Sequence, residues 1–320
     1  MIQEITDQEI WNRLIEENGG HPLQLWGWGE VKLRHGWQAR RFALDDNLRV
    51  GAQVLLRRLP KGIGAFAYIP RGPVGEWSQA MLDELSLILK KQFKAIVLSV
   101  EPDQEEMTTL QGWKKAKNTV LLAQTLKLDL EKSEEELLAN ISSKRRYDIR
   151  SSTKKIAAFR QLTSSEDLEK CLALYKHTAK RAGFALHGDD YYHDIHVQLG
   201  EHSVILGAWD EQGNLLAFTW FAVSPKVAFE LYSGISDKGQ KLRINYGLKW
   251  WCIQEMKRRG VKQYDFNGLL NDGISTFKRS FASHETTLVG TYDKPLSPLY
   301  SVWSEGLPLA KKVVRTLKKR

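Results

Sequence analysis

The residues of this chain best suited to chemistry are cations set among aromatic rings. Lys278 stands between Phe277 and Phe281, two positions that a helix places on one face. A cation held in a low-dielectric cleft can stabilise a developing oxyanion; a surface lysine between two core aromatics is the plain alternative. Lys32 is bracketed by Trp26, Trp28 and Trp37, Tyr68 leads into Pro70-Arg-Gly-Pro73, and Tyr232 precedes Ser233-Gly234. Sugars and planar bases pack well on such faces, although most tryptophans build cores. Asp265, with Glu101 or Asp103, closes a predicted strand and is a candidate proton acceptor.

Several other chemistries lack their signatures. There is no G-x-S-x-G elbow, no H-E-x-x-H and no P-loop, so neither a covalent nucleophile nor a nucleotide-hydrolysis site is written in the sequence. His193-x-x-His196 beside Asp194 has helical metal-ligand spacing, but solvated or helix-end histidines are the commoner meaning, and no metal is expected. Cys171 and Cys252 are the two cysteines; without a C-x-x-C pair they imply a reducing compartment. The N-terminus has no basic start or apolar core, and no apolar run approaches a membrane span, so a soluble cytoplasmic protein is expected.

The net charge of +9 is concentrated. Lys144 to Lys155 carries +5 and Lys311 to Arg320 carries +6, which leaves the rest of the chain at −2. Two discrete basic patches point to polyanions such as phosphates, RNA or an anionic membrane, or they are merely solvated. The C-terminal patch places Val313, Val314 and Leu317 on one side of a basic helix that could lie weakly on anionic lipid; an RNA contact and a disordered tail are the rival readings.

These residues need a frame, and the chain repeats one. With 42% hydrophobic and 27% charged residues over 320 positions, it can build one large or two medium cores. Thr6-x-x-Glu9 and Thr163-x-x-Glu166 read as capping boxes before apolar helical stripes that stop at Gly19 and Gly183. The first is followed by a strand ending at Leu44, strands Val50 to Leu56 and Gly64 to Ile69, a helix near Gln79 to Lys91 and a strand Ala95 to Val100. The second is followed by strands Val204 to Trp209, Leu216 to Val223 and Val227 to Ser233, a helix near Lys241 to Arg259 and a strand Gln263 to Phe266. Between them a third capping box, Ser133-x-x-Glu136, opens a linking helix.

This order resembles the acyl-transferase fold of the Gcn5-related N-acetyltransferases, present twice. Gln24-Leu-Trp-Gly-Trp-Gly-Glu-Val-Lys-Leu-Arg-His-Gly-Trp37 and Tyr264-Asp-Phe-Asn-Gly-Leu-Leu270 running into Phe277-Lys-Arg-Ser-Phe281 resemble the signature of the Fem family of aminoacyl transferases, itself a fused pair of such units. The expected fold is therefore α/β (α+β), with mixed, largely antiparallel sheets flanked by helices. The expected units are residues 1–143 and 144–300, with a basic tail over 301–320. No sustained heptads are present, so the form without a long coiled-coil arm is expected.

The resemblance implies transfer of an amino acid from aminoacyl-tRNA to the side-chain amine of the peptidoglycan stem peptide, on lipid II or a UDP-linked muramyl pentapeptide, without a cofactor. Ester aminolysis needs positioning, proton removal and oxyanion stabilisation. In that scheme Lys278 meets the oxyanion and Phe277 the peptide. Lys32, in the Trp-Gly-x-x-Lys motif, and Arg181, in the R-x-G-F segment, bind the precursor's phosphates, while Trp37, Tyr68 and Tyr232 provide aromatic contacts. Arg146, Arg150 and Lys154, in a segment similar to the family's K-x-R-x-x-I-R helix, would meet tRNA or phosphate. Weak association with the inner membrane face would suit a lipid-linked acceptor. The pattern departs from the family at Asn267-Gly268, where Gly-Gly is frequent, and at Phe281-Ala-Ser283. A CoA-dependent N-acyltransferase and a non-catalytic RNA-binding protein are the alternatives. The first would need Arg243 to Gly247 to cradle a pyrophosphate.

Overall fold

The computed structural model describes every residue except Asn271 and 307–320, so the basic segment Lys311 to Arg320 lies outside the described residues. The chain forms two compact units, Gln124–Thr286 and the remainder, Met1–Ala123 with the segment that returns from Thr287. This division differs from the expected one at residue 143, and hydrogen bonding explains why. Strand Lys127–Asp129 pairs with Gln263–Asp265, which assigns the two helices after it to the second unit. Strand Tyr292–Pro295 instead pairs with Ala95–Glu101 of the first.

In the first unit the sheet order is Gln3–Glu4, Gln38–Ala43, Gly51–Arg58, Ala65–Pro70, Ala95–Glu101, Tyr292–Pro295 and Lys114–Lys115. All its neighbours are antiparallel except Ala65–Pro70 and Ala95–Glu101, which run parallel. The crossover between those two is helix Gln79–Phe93, whose Leu82, Leu85 and Leu89 are buried in one cluster with Ala67, Leu98 and Val100. Helix Gln8–Glu17 begins one residue later than its expected cap: Asp7, not Thr6, accepts the Ile10 N–H at 2.9 Å. A carboxylate at this position also meets the positive end of the helix dipole.

The second unit repeats the plan. Its sheet runs Lys127–Asp129, Gln263–Asp265, Val227–Ile235, Leu215–Val223, Ser203–Trp209 and Ala158–Leu162, with one parallel pair, Val227–Ile235 and Gln263–Asp265. Helix Ser165–Ala182 is capped by Ser164, again one residue after the expected Thr163, and ends at Gly183 with φ +74°. The helix expected over Lys241 to Arg259 is two, Asp237–Leu242 and Ile244–Arg258, broken at Arg243 with φ +57°. The expected Ser133–Glu136 capping box is present in both directions. The longest helix among the described residues is Ser165–Ala182, with 18 residues, so no coiled-coil arm is present among them, and no described helix is long and apolar enough to cross a membrane.

Helix Trp26–Arg34 of the first unit lies directly on the sheet, and its Gly29 has a steric purpose. A Cβ at Gly29 would come within 2.3 Å of Gln53 Oε1 and 2.5 Å of Arg41 Nη2. Gly29→Ala is therefore expected to destabilise the protein by about 1–3 kcal/mol through overpacking, measured by urea unfolding; an unchanged midpoint would show that the helix can lift without loss.

Candidate active site

The site in the second unit begins where a strand pair ends. Val227–Ile235 and Gln263–Asp265 stay in register only through Phe229 and Asp265. The chain then turns away, with Phe266 N–H donating to the Leu126 carbonyl at 3.0 Å and Leu269 N–H to Gln124 at 2.9 Å. The strand edge beyond residue 229 is left without its parallel neighbour. Asn267 fills the first position of that gap, donating from Nδ2 to the Glu230 carbonyl at 2.9 Å.

Lys278 faces the same turn. It lies in helix Gly273–Arg279, capped by Asp272, and its Nζ donates to the carbonyls of Gly268 at 3.2 Å and Asn267 at 3.4 Å. The ammonium is half-buried, and burial pulls its pKa down, while Glu230 pulls it up and Lys249 down, followed by Asp265 and Asp272, which pull it up. A lysine has three N–H donors; among the described residues two are engaged with backbone, which leaves one for a ligand. Phe277 packs against Tyr246 at 5.1 Å and Phe281 at 5.2 Å, and Phe281 is fully buried. The helix expected to carry both phenylalanines ends at Arg279, so Phe281 lies just beyond it and meets Phe277 from the following turn, and Lys278 is half-buried beside them.

Beneath this turn lies a charge pair that sequence reading missed. Lys249 and Glu230 are 4% and 5% exposed, and the ammonium donates to Glu230 Oε1, which also accepts from Tyr264 Oη. Burial first, then the Glu230 charge, drives the Tyr264 phenol well above its ordinary pKa. The available signal was one charged residue inside each of two apolar runs, Val-Ala-Phe-Glu-Leu in the strand and Leu-Lys-Trp-Trp-Cys in helix Ile244–Arg258.

The same strand carries Tyr232 on its other face. Opposite it the register passes from Trp220↔Tyr232 to Phe221↔Glu230, so Leu231 bulges and the two side chains diverge. Tyr232 packs against Tyr175 at 5.2 Å and Tyr192 at 5.1 Å. Arg181, at the end of helix Ser165–Ala182, donates to Asp237 Oδ1 at 3.0 Å and the Ile235 carbonyl at 3.1 Å, bracing the turn after the strand. His193 and His196 point to different partners, Glu169 and Ser203.

The basic helix Ser143–Thr153 is partly committed within the fold. Arg146 turns inward onto the carbonyls of Ile141 at 2.6 Å and Leu138 at 3.2 Å, whereas Arg150, Lys154, Lys144 and Lys155 are exposed. Its buried Asp148 binds Arg145 at 2.7 Å and Arg243 at 3.0 Å. A Cβ at Gly247 would lie 2.9 Å from both Ser152 Oγ and Thr153 Oγ1. The first turn of helix Ile244–Arg258, where a pyrophosphate would bind, is thus packed against another helix and its glycine serves that packing.

The first unit gathers two of the expected contact residues, Trp37 and Tyr68, around one sheet face. Leu55 pairs with Tyr68 and Arg57 with Phe66, so these four side chains share a side. Phe66 lies 6.0 Å from both Trp37 and Tyr68 and stacks on Trp303 at 5.0 Å, while the Arg57 guanidinium covers Trp37 at 5.4 Å. Phe66, Trp303 and Arg57 were not foreseen. Tyr68 is buried and donates to Glu101, which also accepts from Val120 N–H at 3.0 Å and Leu121 N–H at 3.3 Å. Both groups are therefore fixed structurally. The Trp26–Glu30 part of the motif docks the helix: Trp26 lies under Arg41 at 3.4 Å, and Glu30 pairs with Arg41 at 2.8 Å. Lys32 Nζ sits 4.3 Å from the Trp28 ring, and burial brings its pKa down to about 8.

Known proteins share this pattern. The model of the FemAB family matches residues 108–209 and 205–305. A lipid II:glycine glycyltransferase of Staphylococcus saprophyticus is 23% identical over 390 residues, covering 93% of this chain and 94% of the relative. One from Staphylococcus aureus (strain MRSA252) is 22% identical over 419 residues, covering 99% of each. Since 419 − 320 = 99, that alignment leaves at least 99 positions without a counterpart here. Among solved structures, the crystal structure of FemX superposes with a TM-score of 0.83 at 20% identity, covering 95% of this chain and 100% of FemX. A tandem GNAT protein from the clavulanic acid biosynthesis pathway gives 0.50 at 12% identity, covering 92% and 97%. These structures establish the fold as a pair of acyltransferase-like units.

The buried pair generates a prediction of its own. Lys249→Met leaves Glu230 buried without its cation and is expected to cost about 3–5 kcal/mol in urea unfolding, whereas adding Glu230→Gln recovers most of that loss. A double variant as unstable as the single one would mean that Lys249 acts through packing and not charge.

Proposed function

The chain belongs to the FemAB family, and we propose that it is an aminoacyltransferase that carries an amino acid from aminoacyl-tRNA to the side-chain amine of the peptidoglycan stem peptide, on lipid II or its UDP-linked precursor. The observation that carries this reading is Lys278: a half-buried cation tied to two carbonyls beside an open strand edge, with one N–H donor remaining among the described residues.

In the proposed reaction the amine nitrogen attacks the ester carbonyl. A C–N bond forms, and the carbonyl oxygen becomes an oxyanion that accepts from the Lys278 ammonium. The C–O bond to the tRNA ribose then breaks, the ribose oxygen leaves with a proton, and the amine nitrogen gives up one. Because the ammonium is already poorly hydrated, the developing charge gains more from it than from water. Phe277 holds the adjoining aromatic wall. Lys32 and Trp37 in the first unit, and Tyr232 with Arg181 in the second, are the proposed precursor contacts; Arg150 and Lys154 are the exposed cations proposed to meet tRNA phosphates.

Two further observations support the reading. The named relatives are glycyltransferases acting on lipid II. Donation from CoA is disfavoured by the packing of Ser152 and Thr153 onto Gly247, at the turn a pyrophosphate would occupy. The proposed location is the cytoplasm, with peripheral contact at the inner membrane face when the acceptor is lipid-linked.

The test is to incubate the full chain with UDP-linked muramyl pentapeptide, or lipid II in membranes, and a mixture of all aminoacyl-tRNAs, and to weigh the precursor. The expected outcome is a gain of one or more amino-acid residue masses, which also names the donor. No gain on either acceptor, with acetylation when acetyl-CoA is supplied instead, would overturn the proposal.

A further inference from the structure

We propose that Asn267 is a positioning residue for Lys278: its side chain ties off the open strand edge and thereby fixes the two carbonyls that orient the ammonium. This rests on the reading that Lys278 acts in the transfer.

Every polar group of Asn267 is engaged. Its N–H donates to Asp265 Oδ1 at 2.7 Å, Nδ2 donates to the Glu230 carbonyl at 2.9 Å, and Oδ1 accepts from Gly268 N–H at 2.6 Å. Its own carbonyl accepts from Lys278. The backbone stands at φ +62°, in the left-handed region, which Asn tolerates better than most residues because its short side chain bonds locally. A turn alone would be served as well by glycine. The additional bonds hold the 267–268 carbonyls to the strand that carries Glu230 and to the strand end at Asp265. Glu230, Lys249, Asp265 and Asp272 are the charges that bear on the ammonium, so its direction is set by the fixed carbonyls against this surrounding field. Without the amide, the Glu230 carbonyl loses the partner that replaces the missing parallel strand, and the turn is free to move with Lys278.

Asn267→Gly tests this, since glycine accepts the left-handed backbone and the fold should persist, as checked by thermal melting. The expected result is a fall in kcat of about tenfold with KM for both substrates within about twofold, the mark of an interaction made in the transition state. In a Lys278→Ala background the same change should lower kcat no further. An equal loss in both backgrounds, or a change confined to KM, would overturn the inference. Competitive acetylation of lysines with acetic anhydride, read by mass spectrometry, gives a readout independent of turnover: Lys278 should label severalfold faster in Asn267→Gly. If Lys278→Ala leaves turnover intact while this labelling changes, the functional reading fails and the positioning stands. Unchanged labelling overturns the positioning whatever the turnover.

Discussion

The short parallel pairing between Val227–Ile235 and Gln263–Asp265 is the constraint on which the candidate site depends. A parallel strand satisfies its neighbour's edge only as far as it runs, and here it runs three residues. Beyond that point backbone groups need other partners, and the chain provides them in order: the Asn267 amide takes the Glu230 carbonyl, and the Lys278 ammonium takes those of Asn267 and Gly268. The opening is thus a polar, preorganised notch. The Lys249–Glu230–Tyr264 group lies directly behind it, a buried charge pair whose desolvation is offset by close geometry and an added hydroxyl.

The first unit shows what happens when the equivalent pair does not part. Ala65–Pro70 and Ala95–Glu101 remain paired to their ends at Pro70↔Glu101. The carboxylate at that end is occupied by Tyr68 and by two backbone N–H groups. The same unit offers instead a desolvated lysine over Trp28 and an aromatic surface built by Trp37, Phe66 and Trp303. The duplicated fold has therefore diverged chemically, one copy keeping an open strand edge with a cation and the other keeping aromatic faces.

Much of this was legible in the sequence because it follows from periodicity. The strand–strand–strand–helix–strand echo reads directly from alternating and helical apolar patterns, and the structure realises it with small shifts at the ends. The caps were displaced by one residue because Thr6 and Asp7, or Thr163 and Ser164, are adjacent capping types and local sequence does not choose between them. Long-range pairing was not legible: nothing local says that Lys127–Asp129 joins Gln263–Asp265, and so the unit boundary was misplaced. The site was legible only as residue types. Lys278, Trp37 and Lys32 carried recognisable surroundings, but the inward turn of Arg146 onto carbonyls depends on three-dimensional packing, as does the steric reason for Gly247. Asn267, visible in the sequence only as a departure from a glycine pattern, has its N–H, its side-chain amide and its carbonyl all hydrogen-bonded.

Whether the Lys278 ammonium stabilises the oxyanion of acyl transfer is read from the turnover of Lys278→Ala beside its melting temperature. The expected result is a loss in kcat on the order of a hundredfold, as for removal of one oxyanion partner, with the melting temperature unchanged. Unchanged turnover, or a loss that tracks unfolding, would contradict it.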